Sequence, residues 1–270
     1  MHISVIWTFK CMSDALRAAP APRALPQCRR WPSPPPAYHG NVDLWTCHLG
    51  TVEYHEAAAL QEDLRARVGA NELPDLLLLL EHPPVYTLGR RSDPADLPFG
   101  PDFWRARGID VVQTPRGGKL TYHAPGQLVG YPIMHTTDIP AYVRTMEAAI
   151  VAALAEEGIE ARGRDREGSQ FTGVWVEDRK IASIGVHVSK GVTTHGFAIN
   201  VDNDVEPFHQ VTACGLPGVR MTSIALETGR IGGLPCFRKR MAYAFARAHG
   251  RRQRIVAPAR LEATPSPVAA

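Results

Sequence analysis

The sequence predicts a single mixed α/β domain, and three stretches carry that prediction. Residues 180–188 and 193–201 alternate apolar with small or polar side chains on either side of Ser189-Lys190-Gly191, the pattern of a β-hairpin. Residues 141–158 put Val143, Met146, Ile150, Val151 and Leu154 on one face at helical spacing, with Gly158 as a stop. Residues 75–80 hold five successive leucines bounded by Pro74 and Pro83-Pro84, which reads as a strand buried on both faces.

The remaining elements follow in order. Residues 1–41 carry seven prolines between Pro20 and Pro36 and one acidic residue, Asp14. Such a segment buries too little apolar surface to offset its ordering entropy, so it reads as a disordered extension. Its basic, acid-poor composition also fits a mitochondrial transit peptide. Residues 43–49 read as a strand and 52–68 as a helix, with Leu60, Leu64 and Val68 on its core stripe. The segment after the leucine run, with Thr87, Gly89, Arg90 and Arg91, reads as a loop. A helical turn at 103–107 precedes a strand at 109–113, and the Gly117-Gly118 loop enters a strand at 127–133. Residues 162–169 form a charged loop and 173–176 a strand. Residues 221–226 fit either strand or helix, and 234–249 are helical. Arg251, Arg252 and Arg254 read as a solvated helix end, and residues 251–270 as a disordered tail.

Composition narrows the function classes. The chain has 270 residues, 44% hydrophobic and 21% charged, as expected of a globular protein with a sizeable core. A net charge of +3 is too small to imply nucleic-acid binding and only weakly favours an acidic partner. The five cysteines are odd in number and show no paired spacing, so no disulfide framework is expected. No CxxC, HExxH or Cys/His cluster suggests a metal site, and the longest apolar run is far too short to span a membrane. A reducing, cytoplasmic compartment is the reading, or the mitochondrial matrix if the N-terminal segment is a transit peptide.

Two residues stand out chemically. Cys214 sits in Ala-Cys-Gly-Leu-Pro-Gly, a tight loop whose backbone N–H groups are expected to face a ligand. Lys180 is one of only five lysines in a chain whose Lys and Arg total 30. Lysine, unlike arginine, can exchange its proton, although Lys180 alone also fits a residue closing the turn at 177–179. An ordinary thiol is only a few per cent thiolate at neutral pH. An ammonium within about 4 Å favours the anion enough to make it a nucleophile. His123, His187 and His195 are candidate bases beside it.

The segment Arg116-Gly-Gly-Lys-Leu-Thr-Tyr-His-Ala-Pro-Gly-Gln-Leu-Val-Gly-Tyr-Pro-Ile resembles the signature of the lipoyl(octanoyl) transferases. The upstream Glu81-His-Pro-Pro-Val-Tyr-Thr-Leu-Gly-Arg, the Lys180-Ile-Ala-Ser-Ile-Gly stretch and Cys214-Gly-Leu match the same family in the same order. The likeness covers roughly residues 42 to 250. It departs at the long N-terminus, the charged loop 162–170, and Ala213, where proline is common before the cysteine.

The resemblance implies a central mixed sheet flanked by helices, as in biotin and lipoate protein ligases. It implies transfer of an octanoyl group from octanoyl-acyl carrier protein, through a thioester on Cys214, to the target lysine of apo lipoyl domains. These belong to 2-oxoacid dehydrogenase complexes and the glycine cleavage H protein. Lys180 is the implied second catalytic residue. The implied substrate-binding residues are Arg116, Gly117, Gly118, Lys119, Leu120, Thr121, Tyr122 and His123; Ser183, Ile184 and Gly185; and Gly196, Phe197 and Ala198. Taken singly, Arg116 also reads as a surface charge and His123 as a structural histidine. No metal, cofactor, nucleic acid or membrane is implied. The alternative is an ATP-dependent lipoate or biotin ligase of the same fold, which would adenylate its acid and need no cysteine.

Overall fold

A computed structural model describes residues 42–262; the readings of 1–41 and 263–270 lie outside them. The chain runs β1 (Asp43–Thr51), α1 (Tyr54–Gly69), β2 (Leu76–Glu81) and β3 (Val85–Leu88). A short helix α2 (Gly100–Arg105) leads to β4 (Asp110–Gln113), β5 (Thr121–His123) and β6 (Gln127–Ile133). Then come α3 (Ile139–Ala155), β7 (Arg162–Gly163), β8 (Gly173–Val176), β9 (Arg179–Ser189) and β10 (Val192–Asn200). The chain continues through α4 (Glu206–His209), β11 (Arg220–Met221), α5 (Ile224–Thr228), α6 (Leu234–Ala248), β12 (Arg252–Val256) and α7 (Ala259–Glu262).

The large sheet has the order β12-β1-β2-β6-β10-β9-β8-β7, with β11 pairing alongside β9. Pairings on the β12-β1-β2 side are parallel and those from β2 to β7 are antiparallel, so the sheet is mixed. Helices cover both faces. Period-two alternation along β2 sends Leu77 and Leu79 to the α3/α6 side and Leu76, Leu78 and Leu80 to the α1 side. All five are at most 1% exposed, and full burial of one leucine contributes roughly 2 kcal/mol before its entropy cost. This is why the run contains no polar residue. Helix α3 starts where the Asp138 side chain accepts the Ala141 N–H and Pro140 enters the first turn.

The β9–β10 hairpin forms as the alternation predicts. Its two-residue turn places Lys190 at φ 50° and Gly191 at φ 77°, and positive φ at both positions matches the right-handed twist of the strands. A second, three-stranded sheet, β4-β3-β5, carries the motif loop between β4 and β5, and the Gly117 N–H of that loop donates to Val186 O of the hairpin at 2.9 Å.

Several sequence expectations need correction. Residues 85–88 are a strand, not a loop: Val85, Tyr86 and Thr87 are strong strand formers whose signal is masked by the prolines before them. The 221–226 ambiguity resolves into both forms, a two-residue strand and then a helix capped by Ser223. The disordered tail assigned to 251–270 is wrong for residues 252–256, which pair in parallel with β1. Arg252 and Arg254 are not a helix-end charge cluster; both donate to Asp43 across that pairing. Arg251 instead reaches Asp75 at 2.7 Å. Cys47 and Cys214 are free thiols. Among the described residues, no helix is long and apolar enough to cross a membrane.

Candidate active site

The hairpin, the motif loop and the cysteine loop meet around a cavity of about 360 Å³. Lys180 enters it from β9 and Cys214 from a 3-10 turn at Ala213–Gly215. They are 34 residues apart in sequence, yet Lys180 Nζ donates to Cys214 Sγ at 3.2 Å. The second partner of Nζ is the Thr172 carbonyl at 2.9 Å, and the Trp175 ring lies 5.3 Å away. Lys180 is 2% exposed, and among the described residues no carboxylate pairs with it. Its charge therefore faces the sulfur with little competition. Among the described residues, Ser183, with Oγ 3.7 Å from Sγ, is the other polar side chain in reach of the thiol.

Cys214 lies at φ 57°, in the left-handed region that side chains other than glycine occupy at a cost of order 1–2 kcal/mol. The position is held by its N–H, which donates to Leu120 O at 2.8 Å and ties the cysteine loop to the motif loop. Gly215 follows at φ 68°, and a Cβ there would come within 2.2 Å of Lys119 Cδ. The expectation that loop N–H groups face a ligand is not met at this turn. The N–H groups of Cys214, Gly215 and Leu216 all donate to loop carbonyls. Lys180 and Ser183 are the donors left for a sulfur anion.

Residues 116–121, 183–185 and 196–198 line the cavity, as does His123. Tyr122 does not: alternation along β5 turns its ring to the opposite side, among Tyr86 and Phe208. Arg116 lines the wall, but its guanidinium is engaged by the protein, donating to Lys119 O, Gly117 O and both oxygens of Thr87. It shapes the loop from within. Close approach also requires two facing glycines, Gly185 opposite Gly196 in the hairpin register. A Cβ on Gly185 would lie 2.9 Å from Gly117 O, and one on Gly196 2.3 Å from Gly130 O.

The floor is a layer of rings that motif reading only partly identified: Tyr54, His123, Tyr131 and His195 line it, and His82 packs behind them. His82 Nδ1 lies 2.6 Å from Val52 O, and its Nε2 lies 2.7 Å from the Tyr131 hydroxyl. His123 Nδ1 lies 2.7 Å from Gln127 Oε1 and its Nε2 3.4 Å from Thr87 Oγ1. Burial lowers all three histidines: His82 to about 4, His195 to about 3 and His123 well below its ordinary range. They are neutral at physiological pH and contribute shape and hydrogen bonding. His187 does not line the cavity. None of the three candidate bases lies within hydrogen-bond reach of Cys214, so the geometry presents a Cys–Lys pair and not a Cys–His pair.

Ile139 and Val143 of α3, together with Ser169, Gln170 and Arg91, complete the walls. Periodicity assigns Val143 to the helix core stripe. Only the tertiary fold shows that this end of the stripe faces the cavity. The two apolar side chains, with Leu120, Ile184, Val186 and Phe197, give the slot an apolar side suited to an alkyl chain.

The comparisons with known proteins agree with this arrangement. The family described as "Lipoyl protein ligase A/B catalytic domain" matches residues 53–246. A protein of Mycobacterium leprae named "Octanoyltransferase" is 47% identical over 193 residues, covering 67% of this chain and 77% of that one. One of the same name from Syntrophotalea carbinolica is 44% identical over 201 residues, covering 73% and 90%. Among solved structures, a putative lipoate protein ligase from T. acidophilum with bound lipoic acid superposes with a TM-score of 0.67 at 18% identity, covering 82% of this chain and 92% of that one. Lipoate-protein ligase A bound with ATP gives 0.65 at 18% identity, covering 80% and 90%. At such identity the structures speak to the fold alone. A family match across most of the described chain, relatives above 40% identity and the same mixed-sheet architecture place the chain in one group: it belongs to the lipoyl protein ligase A/B catalytic domain family.

Proposed function

We propose that this chain is an acyltransferase that moves an octanoyl group from a carrier-protein thioester to a lysine of a lipoyl domain, by way of a thioester on Cys214. The observation that carries the reading is the 3.2 Å contact between Lys180 Nζ and Cys214 Sγ at the edge of a partly apolar slot. The name shared by relatives at 44–47% identity supports the acyl group.

In the first step the Cys214 sulfur attacks the donor carbonyl, and the carrier thiolate leaves with a proton from Lys180. In the second, the neutral acceptor amine attacks the acyl-enzyme. An amide bond forms, the C–S bond breaks, and the amine's surplus proton returns to Lys180 as the sulfur leaves as thiolate. Lys180 thus needs both its charge and its proton, and Ser183 supplies a second donor near the sulfur. The ATP-dependent ligase reading fits less well, since adenylation gives Cys214 no task. The donor is octanoyl-acyl carrier protein. The acceptors are apo lipoyl domains of 2-oxoacid dehydrogenase complexes and the glycine cleavage H protein. We infer a cytoplasmic location from the absence of paired cysteine spacing, or the mitochondrial matrix if residues 1–41 are a transit peptide.

The test supplies purified apo lipoyl domain with either octanoyl-acyl carrier protein or free octanoate plus ATP. Octanoylation from the thioester alone is the expected result. A comparable rate from octanoate and ATP would replace this reading with the ligase one.

A further inference from the structure

A buried carboxylate stands two hydrogen bonds behind the reacting pair. Glu147 belongs to α3, on the stripe that carries Met146, Ile150 and Leu154 into the core, and it is 5% exposed. A carboxylate in an apolar stripe is costly unless its oxygens are hydrogen-bonded. Its Oε1 accepts the Gly173 N–H at 2.8 Å. The carbonyl of that same peptide group, Thr172 O, accepts from Lys180 Nζ at 2.9 Å, and Nζ in turn donates to Cys214 Sγ at 3.2 Å. One peptide therefore has an acid's oxygen at its N–H end and an ammonium at its carbonyl end. Both act on its dipole in the same direction, and bonds in such a chain reinforce one another.

The surrounding backbone is fitted to this chain of contacts. Gly163 of β7 passes so close that a Cβ there would lie 3.1 Å from Glu147 Oε2. Gly173 itself takes φ 129°, and a Cβ on it would lie 2.8 Å from Lys180 Cε.

We propose that Glu147 is a positioning residue of the transfer reaction, its carboxylate orienting and polarising the Thr172–Gly173 peptide that holds the Lys180 ammonium against Cys214. It touches neither substrate nor sulfur and acts through Lys180. The inference rests on Lys180 and Cys214 being the reacting pair, but not on the identity of the acyl group.

The test compares the full chain with Glu147→Gln, which keeps an oxygen able to accept the Gly173 N–H and removes the charge. Two measurements are made on each: the pH dependence of Cys214 alkylation by iodoacetamide, followed by intact mass, and single-turnover acylation by octanoyl-acyl carrier protein. In the folded variant, the alkylation profile is expected to move to higher pH and acylation to slow by about tenfold or more. The same substitution in a Lys180→Met background should leave the alkylation profile where Lys180→Met alone puts it, because the effect passes through Lys180. An unchanged profile and rate in Glu147→Gln, or an equal further shift without Lys180, would overturn the proposal and leave Glu147 a structural cap of β8. If Glu147→Gln does not fold, Glu147→Asp, which keeps the charge but shortens the reach, takes its place. Slowed acylation with a shifted profile is then expected, and wild-type behaviour counts against the proposal. Alkylation needs no octanoyl donor, so a failure of the acyl-group reading stays distinguishable from a failure of this one.

Discussion

Gly173 leaves the space that Lys180 occupies. A Cβ at position 173 would lie 2.8 Å from Lys180 Cε and 2.4 Å from Ala182 O, and the φ of 129° is one that side chains rarely adopt. Gly173→Ala is therefore expected to cost more than about 1 kcal/mol of stability, because both backbone and packing must give. Its Cys214 acylation rate should fall further than the loss of folded protein explains. Chemical denaturation beside single-turnover acylation measures both, and a variant with normal acylation would show that Lys180 does not depend on this fit.

Lys180→Arg separates charge from proton transfer. Arginine keeps the positive charge but holds its proton at any working pH. Acyl-enzyme is expected to form slowly and to stall before transfer to the lipoyl-domain lysine. Turnover near the wild-type rate would mean that Lys180 acts through its field alone.

Acid should destabilise the fold through buried neutral histidines. Burial lowers His82 and His249 to about 4 and His195 to about 3, from an ordinary 6.5. As the pH falls through 6.5, the unfolded chain takes up protons that the folded chain refuses. Stability is full above that value and is lost toward pH 4, by at most about 1.4 kcal/mol per pH unit for each histidine. His249 also has a buried Nε2 without a partner, and its ring packs 4.3 Å from Phe245. His249→Phe should thus recover part of the loss between denaturation midpoints at pH 7.5 and pH 5. A variant with the full wild-type loss would contradict this.

Strand β12 and the Leu261 contact are expected to be structural. Truncation after Gly250 removes β12 and exposes the outer edge of β1, together with the 3%-exposed Leu261 contact. The loss is expected to reach at least about 2 kcal/mol, the burial of one leucine. Asp43→Asn, which removes only the exposed pairs to Arg252 and Arg254, should cost less than about 1 kcal/mol. Thermal melts of the two proteins give the comparison, and equal midpoints would return residues 252–256 to the status of a tail.

Much of this was legible in the sequence because it rests on local pattern. The leucine run, the hairpin and the α3 stripe follow from residue period. The motif loop and Cys214 were marked by runs of unusual residues. What sequence hid depends on distant partners. Residues 252–256 read as charged and tail-like because their strand is completed by β1, some 200 residues earlier. Tyr122 sits within the motif, yet the pleat of β5 turns it away from the cavity. Glu147 interrupts an apolar stripe, and the Gly173 N–H that its carboxylate accepts comes from a strand 26 residues further along the chain. The donors expected from the Gly215 loop are taken up by the turn that puts Cys214 at positive φ.

The central claim is that Cys214 carries the acyl group. Intact-mass spectrometry in a single turnover tests it most directly, with wild-type protein and Cys214→Ala each mixed with octanoyl-acyl carrier protein before apo lipoyl domain is added. Wild-type protein should gain one octanoyl mass on Cys214 and lose it as the lipoyl domain gains it, while Cys214→Ala shows neither event. An octanoyl adduct on Cys214→Ala, or lipoyl-domain octanoylation at a near-normal rate without the thiol, would contradict the account.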